Sequence, residues 1–296
     1  MSTVLIEGKR GRFHVNPHDT LIGASLRTYG EFAEHEMMLL SHWARPGDTI
    51  VDIGANIGTH SVFFSQAVGP GGKVTAIEAQ SEIFEILKLN LALNGCVNVT
   101  PMHAACGAVS GELSVPGIDY GRDGNFGAFS FRIDGIERLL PVSARVPSAV
   151  VPMVPLDTID LAACHLMKID AEGMEGEVIN GAARTIERFR PVLYLENNNR
   201  DASRGLFERV SSLGYSAYWH VISYYRANNF ARSADNIFVA ALELNVLCLP
   251  TETGAGCPLP VMTAADQWLP DDLDSGRYSL DELLLLSEMF GFDRQT

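Results

Sequence analysis

The sequence predicts an α/β fold with a doubly wound, mostly parallel sheet and helices on both of its faces. Short apolar runs suited to buried strands, helical periodicities between them and glycine-rich turns at their junctions predict this fold. Parallel strands need crossover connections of one hand, so this alternation favours a sheet covered on both sides. A ligand is then expected beyond the carboxyl ends of the strands.

The first part of the chain shows this alternation most clearly. The TIVDIG run at 49–54 suits a strand buried on both faces, and KVTAIEA at 73–79 suits a second one. Ser81 is a candidate cap for the helix that follows. The predicted elements are a helix at 31–44, strands at 49–54, 73–79 and 97–103, and helices at 59–68 and 81–93.

The second part begins with a Gly-, Pro- and Ser-rich segment at 107–155, which predicts an irregular insertion on the substrate side. Further predicted elements are strands at 165–173, 190–196, 216–221 and 236–242, and helices at 174–188 and 202–213. We therefore divide the chain into an N-terminal extension with a lid helix at 1–45, an α/β domain at 46–242 and a C-terminal tail at 243–296. The tail ends in a helix with a capping box at Ser279, and it packs on the domain or on a second subunit of a homodimer.

Composition and charge argue against several classes of partner. The chain has 296 residues, a formal net charge of -14 and a pI of about 4.9, so its mean surface field repels nucleic acids and anionic membranes. No apolar run suits a signal peptide or a membrane span, which predicts a cytoplasmic protein. The cysteines form no C-x-x-C pair and the histidines show no ligand spacing, so no metal site is predicted.

The turn in IVDIGANIG at 50–58 predicts a nucleotide-like ligand, because its glycines let the backbone approach one closely. Asn56 stands where a dinucleotide fingerprint needs its second glycine, so a cofactor without phosphates fits better. The next strand ends in Glu78, and a carboxylate there can accept both hydroxyls of a ribose. Adenosine with an unmodified ribose is indicated.

Four motifs carry a resemblance to a known family: DIGANIG at 52–58, AIEA at 76–79, the pair Asn90 and Asn94, and KIDAEGMEGEVINGA at 168–182. Over about residues 25–240 the chain resembles the FkbM family of methyltransferases. The resemblance implies a Rossmann-like fold and S-adenosyl-L-methionine as the cofactor.

The resemblance also implies cofactor-binding residues. Glu78 holds the ribose, the segment at 104–106 borders the adenine, and Asp52 organises the turn or meets the amino group of the cofactor. Tyr29 and Glu31 resemble a family pair that closes over the cofactor; alternatively, Glu31 caps a helix dipole and Tyr29 only packs. The full cofactor set is Tyr29, Glu31, Asp52, Gly54, Asn56, Gly58, Thr59, Glu78, Ala79 and Ala105.

Asp170 and Glu172 end the fourth parallel strand and are the leading catalytic candidates. One of them could take the acceptor proton, or the two together could hold a divalent cation that acidifies a hydroxyl. In the alternative interpretation, Glu172 and Glu175 merely satisfy a helix dipole. His220 is a further candidate base, although a lone histidine beside aromatic residues is more often a packed, hydrogen-bonded one.

Three residues are predicted to contact the acceptor: Asn125 and Phe126, which resemble a family loop over the substrate, and Glu196 at the end of a strand. The resemblance favours O-methylation of a small-molecule natural product or a saccharide. N-methylation is an alternative, although the sequence lacks an N/D-P-P-Y/F motif. A nicotinamide-dependent oxidoreductase and a non-catalytic binding protein are the rivals from other classes.

Overall fold

The computed structural model of the chain describes residues 2–127, 146–239, 241–253, 256–266, 268–274, 276 and 279–289. The strands are β1 Val4–Gly8, β2 Gly11–Val15, β3 Thr49–Ile53, β4 Lys73–Glu78, β5 Val99–His103, β6 Ala105–Cys106, β7 Gly111–Gly117, β8 Val146–Val154, β9 Leu166–Ile169, β10 Val192–Glu196, β11 Tyr215–Ser223 and β12 Leu242–Pro250. The helices are α1 Ile22–Tyr29, α2 Glu34–Leu40, α3 Thr59–Val68, α4 Ser81–Leu93, α5 Glu175–Gly181, α6 Ala183–Phe189, α7 Arg200–Ser212, α8 Leu269–Asp274 and α9 Leu280–Met289.

A seven-stranded sheet in the order β11-β12-β10-β9-β3-β4-β5 forms the centre of the fold. The five strands from β10 to β5 are parallel, and β12 runs antiparallel to both of its neighbours. β3 has β4 on one side and β9 on the other, so the strand order reverses at β3 and a crevice opens beyond its carboxyl end. The doubly wound, mostly parallel sheet predicted from the sequence is confirmed.

The strands and helices nearest this crevice lie where the sequence placed them. α3 and α4 have the predicted bounds, and β3, β4 and β9 fall within the predicted strands. Ser81 is the first residue of α4, which makes Gln80 the cap residue, so the predicted cap was wrong by one position. The hydroxyl of Ser81 instead lies 3.3 Å from Nε2 of His103. The helix predicted at 174–188 is two helices that meet at Ala182.

The pair Asn90 and Asn94 anchors an N-terminal hairpin of β1 and β2 to α4. The side chain of Asn90 accepts from the backbone N–H of His14 and donates to the carbonyls of His14 and Ile57. Asn94 accepts from the N–H of Arg12 and donates to its carbonyl. These contacts give a structural role to Asn90 and Asn94, which entered the sequence analysis only as part of the family resemblance.

Beyond the hairpin, α1 was not predicted, and α2 is much shorter than the predicted helix at 31–44. α2 begins after Ala33, whose φ of 48° lies in the left-handed region, so the chain turns sharply between α1 and α2. The predicted lid helix at 31–44 is therefore reduced to α2, a helix of 7 residues, and α1 is an additional helix before it.

The insertion at 107–155 contains regular structure, contrary to the prediction. β7 and β8 pair antiparallel, and β8 also pairs with β6, which makes a second sheet of three strands. Pro147 and Pro152 made β8 look unlike a strand in the sequence, because proline removes backbone donors and is uncommon within sheets. Residues 128–145 of the insertion lie outside the described residues.

The last strand of the sheet occupies 242–250, not the predicted 236–242. Glu243 and Asn245 interrupt an otherwise apolar run, so the sequence did not predict a strand there. Both side chains are nevertheless buried. The boundary placed at 242 therefore coincides with the start of a sheet strand, and residues 242–250 belong to the sheet. Further along the tail, Ser287 of α9 donates a 2.7 Å hydrogen bond to the carbonyl of Val221 in β11, so α9 packs on the domain.

No helix within the described part of the chain is both long enough and apolar enough to cross a membrane.

Candidate active site

The turn between β3 and α3 brings backbone to the edge of the crevice. Gly54, Asn56 and Gly58 have φ values of 75°, 48° and 91°, so three of five successive residues adopt the left-handed conformation. A Cβ atom on Gly54 would lie 1.7 Å from the carbonyl oxygen of Asp170, which excludes every other residue type at this position. The turn therefore lies directly against the end of β9.

Glu78, the last residue of β4, presents its carboxylate to this turn. Its Oε2 accepts a 2.9 Å hydrogen bond from the N–H of Asn56, and its Oε1 accepts a 2.7 Å bond from that of Gln80. Burial raises the pKa of Glu78 to about 7, against the effect of these hydrogen bonds. Each carboxylate oxygen keeps a second lone pair, so the group can also accept the two hydroxyls of a ribose.

A cavity lies over the carboxyl ends of β3, β4, β9 and β10 and reaches the first residues of β12. About 1040 Å³ of this space is free of protein atoms, open solvent at the mouth included. Ten of the residues that the sequence assigned to the site line it, namely Gly54, Asn56, Thr59, Glu78, Ala79, Ala105, Asn125, Asp170, Glu172 and Glu196. The structure thus brings most of the predicted site together at the switch point of the sheet.

The insertion closes one end of the cavity through Gln80, which the sequence did not single out. The Gln80 side chain donates a 2.9 Å hydrogen bond to the carbonyl of Phe126 and accepts one of 2.8 Å from the Tyr120 hydroxyl. The Phe126 ring is buried against Tyr120, at 5.0 Å between ring centroids, and does not line the cavity. Asn125 is thus the only one of the two predicted loop residues to line the cavity.

Asp52 and Gly58 lie behind the cavity surface. Asp52 is fully buried, accepts a 2.6 Å hydrogen bond from the hydroxyl of Ser61 and lies 4.0 Å from Nζ of Lys168. Gly58 precedes α3 and packs against Leu87 of α4. In this arrangement Asp52 organises the turn, which is one of the two roles that the resemblance implied.

Tyr29 and Glu31 do not line the cavity. Glu31 accepts a 2.8 Å bond from Arg226 and a 3.0 Å bond from the N–H of Phe230, and the Tyr29 hydroxyl accepts from the N–H of Ile237 at 2.9 Å. Both side chains therefore fasten the segment after β11 to the end of α1. Their direct contact with a cofactor stays a prediction, and the structure favours the packing interpretation.

His220 is also away from the cavity. Its ring is fully buried, and its Nδ1 lies 2.8 Å from the hydroxyl of Tyr194. Burial lowers the pKa of His220 to about 3, so the ring stays neutral. The structure thus corrects the catalytic assignment: this is a packed, hydrogen-bonded histidine with no access to the cavity.

Lys168 is the only lysine or arginine among the described residues that line the cavity. Its Nζ lies 3.0 Å from Oδ2 of Asp170 and 4.0 Å from Oδ1 of Asp52. Burial acts to lower the pKa of Lys168, but the carboxylates of Asp170, Asp52 and Glu36 outweigh it and raise that pKa. Lys168 is therefore a permanent cation already engaged by protein carboxylates.

Glu172 and Glu175 differ in role although both follow β9. One oxygen of Glu175 accepts the N–H groups of Ala171 and Gly173 at 3.1 and 3.0 Å, so Glu175 shapes the loop. Glu172, whose φ is 51°, lines the cavity. Burial and the nearby charge of Asp170 raise the pKa of Glu172 well above its usual value. The dipole-satisfying interpretation thus fits Glu175 and not Glu172.

A further wall of the cavity consists of residues that the sequence analysis did not assign to the site: Glu36, His60, Tyr224 and Glu243. Glu36 lies 3.0 Å from Nε2 of His60, and it forms hydrogen bonds with Asn245 and Glu243. Glu243 also hydrogen-bonds Tyr224. Burial raises the pKa of Glu36 to about 8 and lowers that of His60 to about 3.

One signal could have revealed this wall. Glu243 and Asn245 alternate with apolar residues in a run that suits a buried strand, and Glu36 lies on the apolar side of a helix. Buried polar side chains of this kind are uncommon unless they have partners or a function. Within the described residues, no three His, Cys, Asp or Glu side chains are arranged to hold a metal ion.

Residues 52–230, more than half of the chain, match the model of the methyltransferase FkbM domain. The chain belongs to this family. The matched FkbM domain begins at Asp52 of the turn and includes Glu78, Asp170, Glu172 and Glu196, but it leaves out α2 and β12, which carry Glu36 and Glu243. No curated protein matches the chain.

Solved structures similar to this FkbM-domain chain share little sequence with it. Methyltransferase FkbM from Methylobacillus flagellatus KT is 16% identical and has a TM-score of 0.44, and the match covers 69% of this chain and 44% of that one. A SAM-dependent O-methyltransferase from Thermotoga maritima is 13% identical, with a TM-score of 0.45 and coverage of 83% and 77%. The chain thus matches less than half the length of the Methylobacillus protein.

Proposed function

We propose that the chain is an S-adenosyl-L-methionine-dependent methyltransferase that methylates a hydroxyl group. The carboxyl lining of the cavity carries this proposal. Among the described residues, six carboxyl side chains line the cavity, Glu36, Glu78, Asp170, Glu172, Glu196 and Glu243, and the one lysine is already paired. Burial raises the pKa of five of these groups, and a ligand with positive sulfonium and ammonium groups favours their charged form, whereas a pyrophosphate finds no unpaired cation in this lining.

The residues present fit this cofactor part by part. The carboxylate of Glu78 suits the ribose hydroxyls, and Ala79 and Ala105 offer small side chains for the flat adenine. Gly54 adds no side chain to the cavity lining, which favours binding of the amino acid part of the cofactor against its backbone, between Gly54 and Glu36. A nicotinamide dinucleotide fits less well, because the described lining offers no unpaired cation for its phosphates.

When bound, S-adenosyl-L-methionine supplies a methyl group on a positive sulfur, which is a strong electrophile. The protein then has to align the acceptor oxygen and take its proton. Glu172 suits the second task, because its raised pKa makes it a better base than an ordinary carboxylate. Asp170 is held by Lys168 and suits a positioning role.

Oxygen is the acceptor atom that we propose, since a hydroxyl needs a base and carboxyl groups surround the space next to Glu172. Glu196 and Asn125 line the same cavity, which supports their predicted contact with the acceptor. The family resemblance suggests a small-molecule natural product or a saccharide. N-methylation is the alternative, and the position of a methyl label in the product distinguishes the two.

Two measurements test the proposal. Calorimetric titration should show S-adenosylhomocysteine binding the protein and NADH binding weakly or not at all. Incubation of the protein with methyl-labelled S-adenosyl-L-methionine and an extract of the source cells should yield a labelled product whose mass spectrum locates the methyl group on oxygen. Preference for NADH contradicts the proposal. A label on nitrogen shows that the acceptor atom is nitrogen and not oxygen.

A further inference from the structure

A second depression opens from the side of the cavity where the acceptor is expected. This α7 groove runs between the loops that follow β9 and β10 and the first turns of α7, with β7 and β8 at its edge. It shares Glu172, Met174, Glu196 and Asn198 with the cavity. About 1880 Å³ of it is free of protein atoms, open solvent included. The two spaces therefore meet at the residue that we propose as the base.

A glycine inside α7 keeps the groove open. Gly205 lies in the middle of this helix, where glycine is among the least favourable residues. A Cβ atom on Gly205 would meet nothing within 4 Å, so neither packing nor backbone conformation requires glycine there. Gly205 faces the groove, and an absent side chain there leaves space for a ligand.

One turn after Gly205 on the same helix, Arg209 also lines the groove; its Nη1 lies 3.5 Å from the carbonyl oxygen of Gly205, and it has no carboxylate partner in the described part of the chain. Its Nε donates a 2.8 Å hydrogen bond to the side chain of Asn180, and its guanidinium lies over Gly176, where a Cβ atom would come within 2.8 Å of Nη1. A planar guanidinium held by neutral acceptors keeps donors available for oxygen atoms of a ligand.

The remaining lining combines apolar side chains with amides and carboxyl groups. Met153, Met174, Leu206 and the indole ring of Trp268 supply apolar contacts, whereas the asparagines at 197–199 and the carboxyl groups of Glu177 and Asp201 supply polar ones. Such an alternation suits a molecule that has both ring faces and hydroxyls. It does not suit a purely apolar chain.

We infer that the α7 groove binds the part of the acceptor remote from the methylated hydroxyl, and that the acceptor is an elongated, polyhydroxylated molecule of at least two linked rings. This inference rests on the proposed function. The cavity holds the cofactor and the reacting ring, and the groove holds the next ring. Acceptors with a single ring lose the contacts made by Trp268 and Arg209 and are poor substrates.

The test fills the groove and leaves the cavity unchanged. The Gly205→Trp variant places an indole in the open space at this position, and Gly205→Ser controls for the loss of glycine itself. Arg204→Trp is the matched bulky control, because Arg204 is the preceding residue of α7, is exposed and does not line the groove. Each protein is incubated with methyl-labelled S-adenosyl-L-methionine and source-cell extract, and its affinity for S-adenosylhomocysteine is measured by calorimetry.

Gly205→Trp should lower the labelled product at least about tenfold by displacing the acceptor, with cofactor affinity unchanged within about twofold. Gly205→Ser and Arg204→Trp should label as the wild type does, and mass spectrometry should show a product of two or more rings. Full labelling by a folded Gly205→Trp protein, or a single-ring product, overturns the inference alone. A wild type that binds no S-adenosylhomocysteine and transfers no label overturns the proposed function, and this inference with it.

Discussion

The two halves of the cavity are built from different parts of the chain and by different means. The half over β3 and β4 consists largely of backbone from 50–80, with the glycine turn against β9 and two N–H groups bound by Glu78. The half over β10 and β12 consists of side chains that arrive from positions as distant as Glu36 and Glu243. Backbone geometry constrains the first half to few residue types, whereas the second half can change its side chains without disturbing the turn.

This comparison predicts that the two halves can be damaged separately. The largest effect is expected for Glu172→Gln, which removes the proposed base and keeps the shape of the side chain. We expect kcat to fall about 100-fold or more, because general bases contribute about that much. Affinity for S-adenosylhomocysteine should stay within about twofold of the wild type.

Steady-state kinetics with methyl-labelled S-adenosyl-L-methionine and the acceptor found in the extract, together with calorimetry, measures both quantities. Glu187→Gln is the control, because Glu187 is exposed on α6 and lines neither the cavity nor the groove. If Glu172→Gln retained its kcat and lost cofactor affinity, Glu172 would belong to the cofactor half.

The next largest effect is expected for Glu78→Ala in the opposite half. The variant loses the acceptor of two ribose hydroxyls and leaves the N–H groups of Asn56 and Gln80 without their partner. We expect affinity for S-adenosylhomocysteine to fall about 10- to 100-fold, as for hydrogen bonds to a charged group. Glu82→Ala on the exposed face of α4 is the control. Unchanged affinity in a folded Glu78→Ala protein would contradict the ribose role.

A smaller effect concerns Glu36 and the pH dependence of stability. Its pKa is raised from 4.5 to about 8 by burial, so between these values the folded protein binds a proton that the unfolded chain has lost. The free energy of unfolding must therefore fall as pH rises towards 8. In the Glu36→Gln variant, the decrease in the free energy of unfolding between about pH 6.5 and 8 should be smaller by about 2 kcal/mol.

Denaturant titrations of the wild type and Glu36→Gln at several pH values measure that difference. Between pH 6.5 and 8 His60 adds only a small slope of the opposite sign, because its folded pKa is lowered to about 3 and unfolded histidine, with a pKa of about 6.5, loses the rest of its proton in this range; this slope is common to the two proteins. A slope that is equal in the two proteins would show that Glu36 is ionised in the folded protein.

The smallest effect is expected for Tyr29→Phe, which removes the hydroxyl that accepts from the N–H of Ile237. The free energy of unfolding should fall by about 1 kcal/mol, the usual loss for one buried hydrogen bond. Affinity for S-adenosylhomocysteine should not change, because the Tyr29 side chain contacts the segment after β11. A tenfold loss of affinity would support the cofactor contact implied by the resemblance.

The same division explains how much the sequence could predict. The sheet, α3, α4 and the glycine turn follow from local patterns, because strand burial, helical periodicity and left-handed glycines each leave a signature within a few residues. Glu78 and Asp170 were found because each ends a parallel strand, and such strand ends meet at one edge.

Contacts between distant segments could not be predicted. Glu36 reaches the cavity only because the chain turns at Ala33, and nothing local marks that alanine as left-handed. β12 was not predicted at 242–250 because Glu243 and Asn245 interrupt its apolar pattern; their burial depends on partners from α2 and from Tyr224, the residue after β11. Glu31 was assigned to the site by the family resemblance and His220 by its chemistry, and in the structure each has a partner away from the cavity.

The contact between Gly54 and the carbonyl of Asp170 brings the ends of β3 and β9 close together within the crevice. Two neighbouring parallel strands end against each other with no side chain between them, so the closest approach of the β3 turn to the end of β9 is limited by main-chain atoms alone. A substitution elsewhere in the cavity therefore leaves this limit as it is, and a ligand on the turn stays next to a group on β9 whatever acceptor occupies the variable half.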